Sequence, residues 1–278
     1  MLAIGLALGA SVVWGLGDFL GGLKSRGLHV LAVLALSQVA GLAAVAVWLA
    51  VSGDERPGLE TLGVAAAAGL AGAVGLAALY RGMAVGAMGI VAPISAVSAA
   101  IPFSVGVASG ERPGAVQLAG VVLALAGVGL ASRQPVHLGG GRAAGVGLAL
   151  LAAAGFGLYF VLFDNAADAG GVPWAVVTAR SASSILAVGA ALAGGIALAV
   201  GRRHLPALVA IGVCDVGANV LFGLATTRGF LSVVSVLAAL YPVVTMALAA
   251  LLLHERIAAS QRLGVAGALA GAALITLG

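Results

Sequence analysis

The segment Glu111-Arg112-x-x-x-x-Gln117 returns as Glu255-Arg256-x-x-x-x-Gln261, 144 residues later, in a chain that is otherwise almost wholly apolar. Each copy stands between one helix-length apolar run and a second run rich in Gly, Ala, Leu and Val. One polar mark repeated in one apolar setting implies two copies of a single membrane unit.

The apolar runs decide the fold class. Only 8% of the 278 residues are charged, 62% are hydrophobic, and the mean hydropathy is +1.21. Soluble domains carry charge on about a quarter of their residues. A helix crossing a bilayer needs about 20 apolar residues, and nearly the whole chain divides into such runs. Backbone in lipid must satisfy its own hydrogen bonds, which leaves helices or a closed barrel. Barrel strands alternate over about ten residues. These runs are long and do not alternate, so the expectation is an all-α integral membrane protein.

Ten spans are expected, at 2–22, 29–51, 60–80, 84–108, 114–131, 143–163, 173–199, 205–226, 231–253 and 262–277. Polar breaks separate them, such as Lys24-Ser25-Arg26-Gly27 and Gly201-Arg202-Arg203-His204. The longest break divides the chain into a five-helix repeat at 1–132, a linker at 133–142 and a second repeat at 143–278. Further echoes support the division. Trp14-Gly15-Leu16 matches Phe156-Gly157-Leu158 at an offset of 142, Gln38 matches Arg180 at 142, and Arg81-Gly82 matches Arg228-Gly229 at 147. Five spans is an odd number, so the second unit enters the membrane inverted. Inverted repeats place a pseudo-two-fold axis in the membrane plane, with a site between the halves.

Other classes are poorly supported. The net charge of +4 comes from Lys and Arg scattered singly between apolar runs, which are topology signals rather than a nucleic-acid patch. Cys214 is the one cysteine, so no intrachain disulfide and no cysteine metal cluster are expected. His29, His137, His204 and His254 lack metal-ligand spacing. There is no phosphate-binding Gly-x-x-x-x-Gly-Lys-Ser/Thr loop, and no cofactor is expected. Met1-Leu2-Ala3-Ile4 enters the first apolar run with no basic segment, so that run reads as a retained span. The 44 glycines favour close helix packing, as in Gly5-x-x-x-Gly9, Gly17-x-x-x-Gly21 and Gly267-x-x-x-Gly271.

Trp14-Gly15, the two Glu-Arg-x-x-x-x-Gln segments before spans five and ten, and Tyr241-Pro242 ahead of Glu255 together resemble the EamA family of the drug/metabolite transporter superfamily. The resemblance covers essentially the whole chain as two tandem units. It implies ten helices, inverted repeats, a central cavity, and export or exchange of small metabolites across the plasma (inner) membrane. Three features depart from the family pattern. Gln38 stands where span two often carries Arg. Ser98 replaces the proline expected before Glu111, with Pro93 and Pro102 on either side. The loop after span two is acidic rather than basic. Loops after odd spans hold nine Lys and Arg against three after even spans, which places both termini outside. The family habit places them inside.

Ionisable residues within a span are expensive and usually face the bundle interior. Asp215 lies mid-span, with Asn219 one turn on. A charge there costs about 3 kcal/mol on insertion scales, so Asp215 reads either as a proton-coupling carboxylate or as a structural acid held by a partner. Arg180 reads as a fork for a substrate carboxylate, as the countercharge of Asp215 or Asp18, or as a snorkelling anchor. Asp18, one turn after Trp14, lies either at the interface or against a ligand, and Trp14 either stacks on that ligand or anchors the span. Tyr80, Tyr241 and Gln38 are further candidate cavity residues, with packing as the alternative for the tyrosines. Pro93, Pro102 and Pro242 interrupt apolar runs and are expected to kink or gate them. Asp164 and Asp168 read as loop residues after span six, without a role.

The expected function is secondary transport of a small polar metabolite, such as an amino acid, by alternating access. Export is favoured by the family resemblance, and a proton is a candidate coupling ion at Asp215. The expected partners are the small-molecule substrate, the lipid bilayer and protons, with no nucleic acid. Two fused halves supply both sides of a cavity, so a monomer suffices. The rival readings are a channel, a non-transporting scaffold, or a membrane-embedded enzyme. The last lacks any convergent set of catalytic groups.

Overall fold

The computed structural model describes residues 1–85, 88–131, 142–254 and 258–277. Glu255-Arg256 and all of the linker but Arg142 lie outside the described residues. Twelve α-helices form ten helical segments among those residues: α1 (Leu2–Lys24), α2 (Val30–Ser52), α3 (Leu59–Val85), α4 (Met88–Ser95), α5 (Ala100–Ala108), α6 (Ala115–Ala131), α7 (Arg142–Gly170), α8 (Val172–Ala193), α9 (Leu205–Thr226), α10 (Leu231–Ala238), α11 (Tyr241–Leu252) and α12 (Ala259–Leu277). Eight stretches are long and apolar enough to cross a membrane, with Leu231–Leu252 counted as one; Ala96–Ala108 and Ala115–Ala131 are shorter apolar helices.

Several expected boundaries move. Span three runs on to Val85, so Tyr80 and Arg81 are inside α3 rather than at its end. Span six runs on to Gly170, so Asp164 and Asp168 are helical, not loop. Span seven stops at Ala193, not at 199. There Gly195 takes a φ of +64°, and the N–H groups of Gly195 and Ile196 donate to the carbonyls of Leu192 and Ala191 at 3.0 and 2.8 Å. That Schellman cap closes the helix. The apolar residues after it cover the bundle without being helical: Ile196, Leu198 and Val200 pack on a buried cluster that includes Leu208 and Ile211.

Spans four and nine are each broken in the middle. A four-residue 3-10 turn, Ala96–Ala99, separates α4 from α5, and Ala239-Leu240 separates α10 from α11. Pro102 and Pro242 lie in the first turns of α5 and α11, where no intrahelical N–H bond is lost. They begin the second half-helix rather than kink a continuous one. Only the backbone of Pro93 is described, and it is helical. The broken spans lie together: α4 packs on α11, and α5 on α10.

Polar capping gives Glu111, Gln117 and Gln261 of the repeated motif their roles. At the end of α5, Gly110 adopts a φ of +102°, and the N–H groups of Gly110 and Glu111 donate to the carbonyls of Val107 and Gly106 at 3.1 and 3.0 Å. This second Schellman cap aims the Glu111 carboxylate at the start of α10. Its two oxygens accept the N–H groups of Leu231 at 2.7 Å and Ser232 at 2.9 Å. A carboxylate at a helix N-terminus also meets the positive end of the dipole. The glutamines cap their own helices: Gln117 accepts from the Gly114 N–H and Gln261 from the Ala258 N–H, each at 3.0 Å. Both stand at the third helical position and reach back to the capping residue. Replacing Glu111 with alanine is expected to cost about 2 kcal/mol, by analogy with lost N-caps. Thermal unfolding of the purified protein in detergent checks this, and an unchanged midpoint would remove the cap from the account.

Helices approach most closely where glycine removes the side chain. A Cβ on Gly69 would lie 2.0 Å from the Ala179 carbonyl oxygen, and one on Gly212 would lie 2.2 Å from that of Ser37. Gly127 and Gly271 hold α6 against α12, where a Cβ would meet backbone nitrogens at 2.3 and 2.4 Å. The motif glycines divide: Gly21 is filled by the Tyr80 ring, whereas Gly5 has nothing within 4 Å. The outward face is apolar, with Ile185 74%, Leu251 72% and Val122 68% exposed, as a lipid-facing surface requires. Asp18, Gln38, Arg180 and Asn219 are buried instead.

Candidate functional site

A central cavity opens between α1, α2, α3, α7, α8, α9 and the start of α11. Including its mouth, it encloses about 630 Å³. Trp14, Asp18, Gln38, Arg180, Asp215, Asn219 and Tyr241 all line it. Tyr80 does not. It is buried against Gly21 of α1 and acts as packing behind the wall.

Asp215 is the hub of the polar network. One carboxylate oxygen accepts from Arg180 Nη1 at 2.6 Å, and the other accepts from the Trp14 indole N–H at 3.1 Å. Arg180 Nη1 also donates to the side-chain oxygen of Gln38. The Ser183 hydroxyl donates to the same oxygen at 2.9 Å. Four helices, α1, α2, α8 and α9, are tied through one ion pair. Arg180 is the countercharge of Asp215; its side chain is only 4% exposed and lines the cavity rather than snorkelling. Its Nε has no hydrogen-bond partner.

Asp18 is buried, at 6% exposure, and lines the cavity. It has neither a hydrogen bond nor an ion pair among the described residues. Asn219 accepts from the Tyr159 hydroxyl at 2.9 Å. Tyr241 and Ser95 share a hydrogen bond of 2.5 Å across the two broken spans.

Glycine positions this arrangement. A Cβ on Gly15 would meet Val244 at 2.5 Å and the Tyr241 carbonyl at 2.7 Å, so the glycine after Trp14 admits the start of α11. A Cβ on Gly157 would meet Ile101 at 2.4 Å and the Ser98 carbonyl at 2.9 Å, so the glycine after Phe156 admits the break of span four. Each aromatic-Gly pair is therefore a docking notch for a broken helix.

Aromatic residues that the sequence reading did not single out form much of the wall. Phe156, Tyr159, Phe160 and Phe163 of α7 face the cavity beside Trp14. Trp14 packs on Phe160 and on Phe222, each with centroids 5.7 Å apart, and Tyr159 stacks on Phe163 at 5.2 Å. Phe156 meets Tyr241 edge to face at 6.4 Å. Their positions, 156, 159, 160 and 163, follow the helical i, i+3, i+4, i+7 pattern. That stripe was readable, but only the fold distinguishes a cavity wall from a packed core. No group of three or more His, Cys, Asp or Glu is arranged to hold a metal among the described residues.

The profile of the EamA-like transporter family matches residues 1–133 and again 143–277. No curated protein matches the chain. A chain of known crystal structure superimposes with a TM-score of 0.75 at 19% identity, covering 99% of this chain and 96% of that one, and shares its fold. The family is one of transporters, not of enzymes. Two family matches over nearly the full length, on a bundle of apolar helices, make this chain a multi-pass membrane protein of the EamA-like transporter family.

Proposed function

We propose that the protein is a secondary carrier that moves a small polar metabolite across the plasma membrane by alternating access, in the direction of export. The observation that carries this reading is a central cavity, largely apolar but holding the Asp215–Arg180 pair, bounded by helices from both family matches. We take residues 1–132 and 143–278 as two inverted repeats joined by a linker. Support comes from contacts that exchange equivalent positions. Gln38 and Arg180, 142 residues apart, touch each other. Gly120 meets Gly271 and Gly127 meets Gly264, an antiparallel crossing in which each glycine faces its counterpart's neighbour. The broken spans four and nine cross at their breaks. Discontinuous helices around a midplane site are a recurrent transporter device, and a half-helix joint is a natural place to flex.

Proton coupling would run through Asp215. Its partners Trp14 and Gln38, the latter through Arg180, belong to the first half, while Arg180 belongs to the second. A proton on Asp215 removes the charge that holds Arg180 and loosens the tie between the halves. The test is counterflow in liposomes with a labelled metabolite panel, with and without a pH gradient. Saturable flux accelerated by unlabelled substrate on the far side is expected. Passive flux that does not saturate would favour a channel. Asp215→Asn is expected to diminish the response to the pH gradient, and an unchanged response in that variant would overturn the assignment.

A further inference from the structure

The cavity holds one more acid than base. Its carboxyl groups are Asp18 and Asp215, and its one cationic side chain is Arg180. Arg180 is committed to Asp215 at 2.6 Å. Asp18 is nine-tenths buried, lines the same cavity and has no partner among the described residues. With both acids ionised the cavity carries a net charge of −1. A buried charge without a partner is costly. Something must answer Asp18, and no protein cation is placed to do so. The titratable groups brought up to it are Asp215 and Cys214 from α9, Tyr80 from α3 and Tyr241 from α11, none of them cationic.

The remaining wall is aromatic. Trp14, Phe156, Tyr159, Phe160 and Phe163 present ring surface to the same space. Ring faces attract cations as well as flat apolar groups. We propose that the cavity takes an organic monocation with a flat apolar body, its ammonium group docked on Asp18 and its body against the aromatic wall. This rests on the carrier reading and names the charge class of its substrate. A ligand carboxylate is disfavoured by the same geometry. It would be a third acid in a cavity whose one cationic side chain, Arg180, already answers Asp215 through Nη1. A zwitterionic amino acid is therefore a poorer fit than the corresponding amine. A proton is the other species that can neutralise Asp18, so proton and ammonium compete for one carboxylate.

An isosteric series tests this without any mutation. 2-Phenylethylammonium, phenylalanine and phenylacetate share an aromatic body and differ in charge. Equilibrium binding of radiolabelled 2-phenylethylammonium to the purified full chain is expected to saturate and to weaken as pH falls. Phenylalanine and phenylacetate are expected to compete at least about tenfold less well than the unlabelled amine, the scale of one lost charge contact. Asp18→Asn is expected to weaken the amine by at least about tenfold and to remove its pH dependence. Tighter binding of the zwitterion or the anion overturns the proposal. So does no binding of the amine, or a folded Asp18→Asn protein with unchanged affinity. The two readings fail separately. Saturable counterflow of another metabolite without amine binding sinks the monocation and keeps the carrier. Amine binding with no counterflow of the amine or the panel sinks the carrier and keeps the site.

Discussion

Replacing Arg180 with alanine is expected to destabilise the protein by about 2–3 kcal/mol, less than for a fully buried ion pair because Asp215 is 18% exposed to the cavity. The guanidinium is the partner of Asp215 and also satisfies the Gln38 oxygen. Removing it leaves the part-buried Asp215 carboxylate without its cation, held by the Trp14 indole alone among the described residues. The double variant Arg180→Ala/Asp215→Asn is expected to regain much of the loss, because neutral Asn can still accept from the Trp14 indole. Thermal unfolding of wild type, both single variants and the double variant in one detergent makes a cycle that isolates the pair. Equal losses in the Arg180 variant and the double variant would show that the ion pair is not what holds these helices. If the double variant folds but does not transport, the pair is needed for the cycle and not merely for stability.

The second large effect is steric. Gly69→Ala and Gly212→Ala each place a methyl about 2 Å from a backbone carbonyl oxygen on a neighbouring helix. No rotamer change relieves a clash with backbone, so the helices must separate. Overpacking of this kind costs about 1–3 kcal/mol. Gly69 also lines the cavity, and Gly212 lies one turn before Asp215, so the shift reaches the site. Gly5→Ala is the control: nothing lies within 4 Å of its Cβ. The expected order in a thermal-shift assay is a clear loss for Gly69→Ala and Gly212→Ala and little change for Gly5→Ala. Equal behaviour of all three would mean that these crossings adjust freely.

The sequence reading of the cavity rested on depth in a span. That signal is physical: an ionisable side chain in hydrocarbon is tolerated only when it faces the interior. It brought Asp215, Arg180, Asp18 and Gln38 to attention, and the fold places all of them on one wall. It does not place Tyr80, a candidate cavity residue whose ring instead packs against Gly21 of α1, outside the cavity lining. It also passed over the aromatic stripe of α7. Apolar residues at helical spacing occur on every buried face, and nothing local marks the face that borders empty space.

The repeated Glu-Arg-x-x-x-x-Gln segment is a similar case. It identified a duplicated unit, but not the reason for its polar residues. Gln117 acts on its own helix, within three residues, so its role was within reach of local capping rules. Glu111 acts on α10, 120 residues away. No pattern in the neighbourhood of Glu111 names that partner.

Membrane insertion, helical class, the number of helical segments and the two family units follow from the sequence alone. Each depends on run length, composition or self-similarity, which are properties of the chain in order. Only the tertiary structure decided that Asp215 is paired while Asp18 is not, that Trp14 binds an acid rather than an interface, and that α7 supplies the aromatic wall. Those distinctions depend on which groups meet across helices. In a bundle glued by close glycine contacts, a rotation of one helix by a single residue would change every one of them.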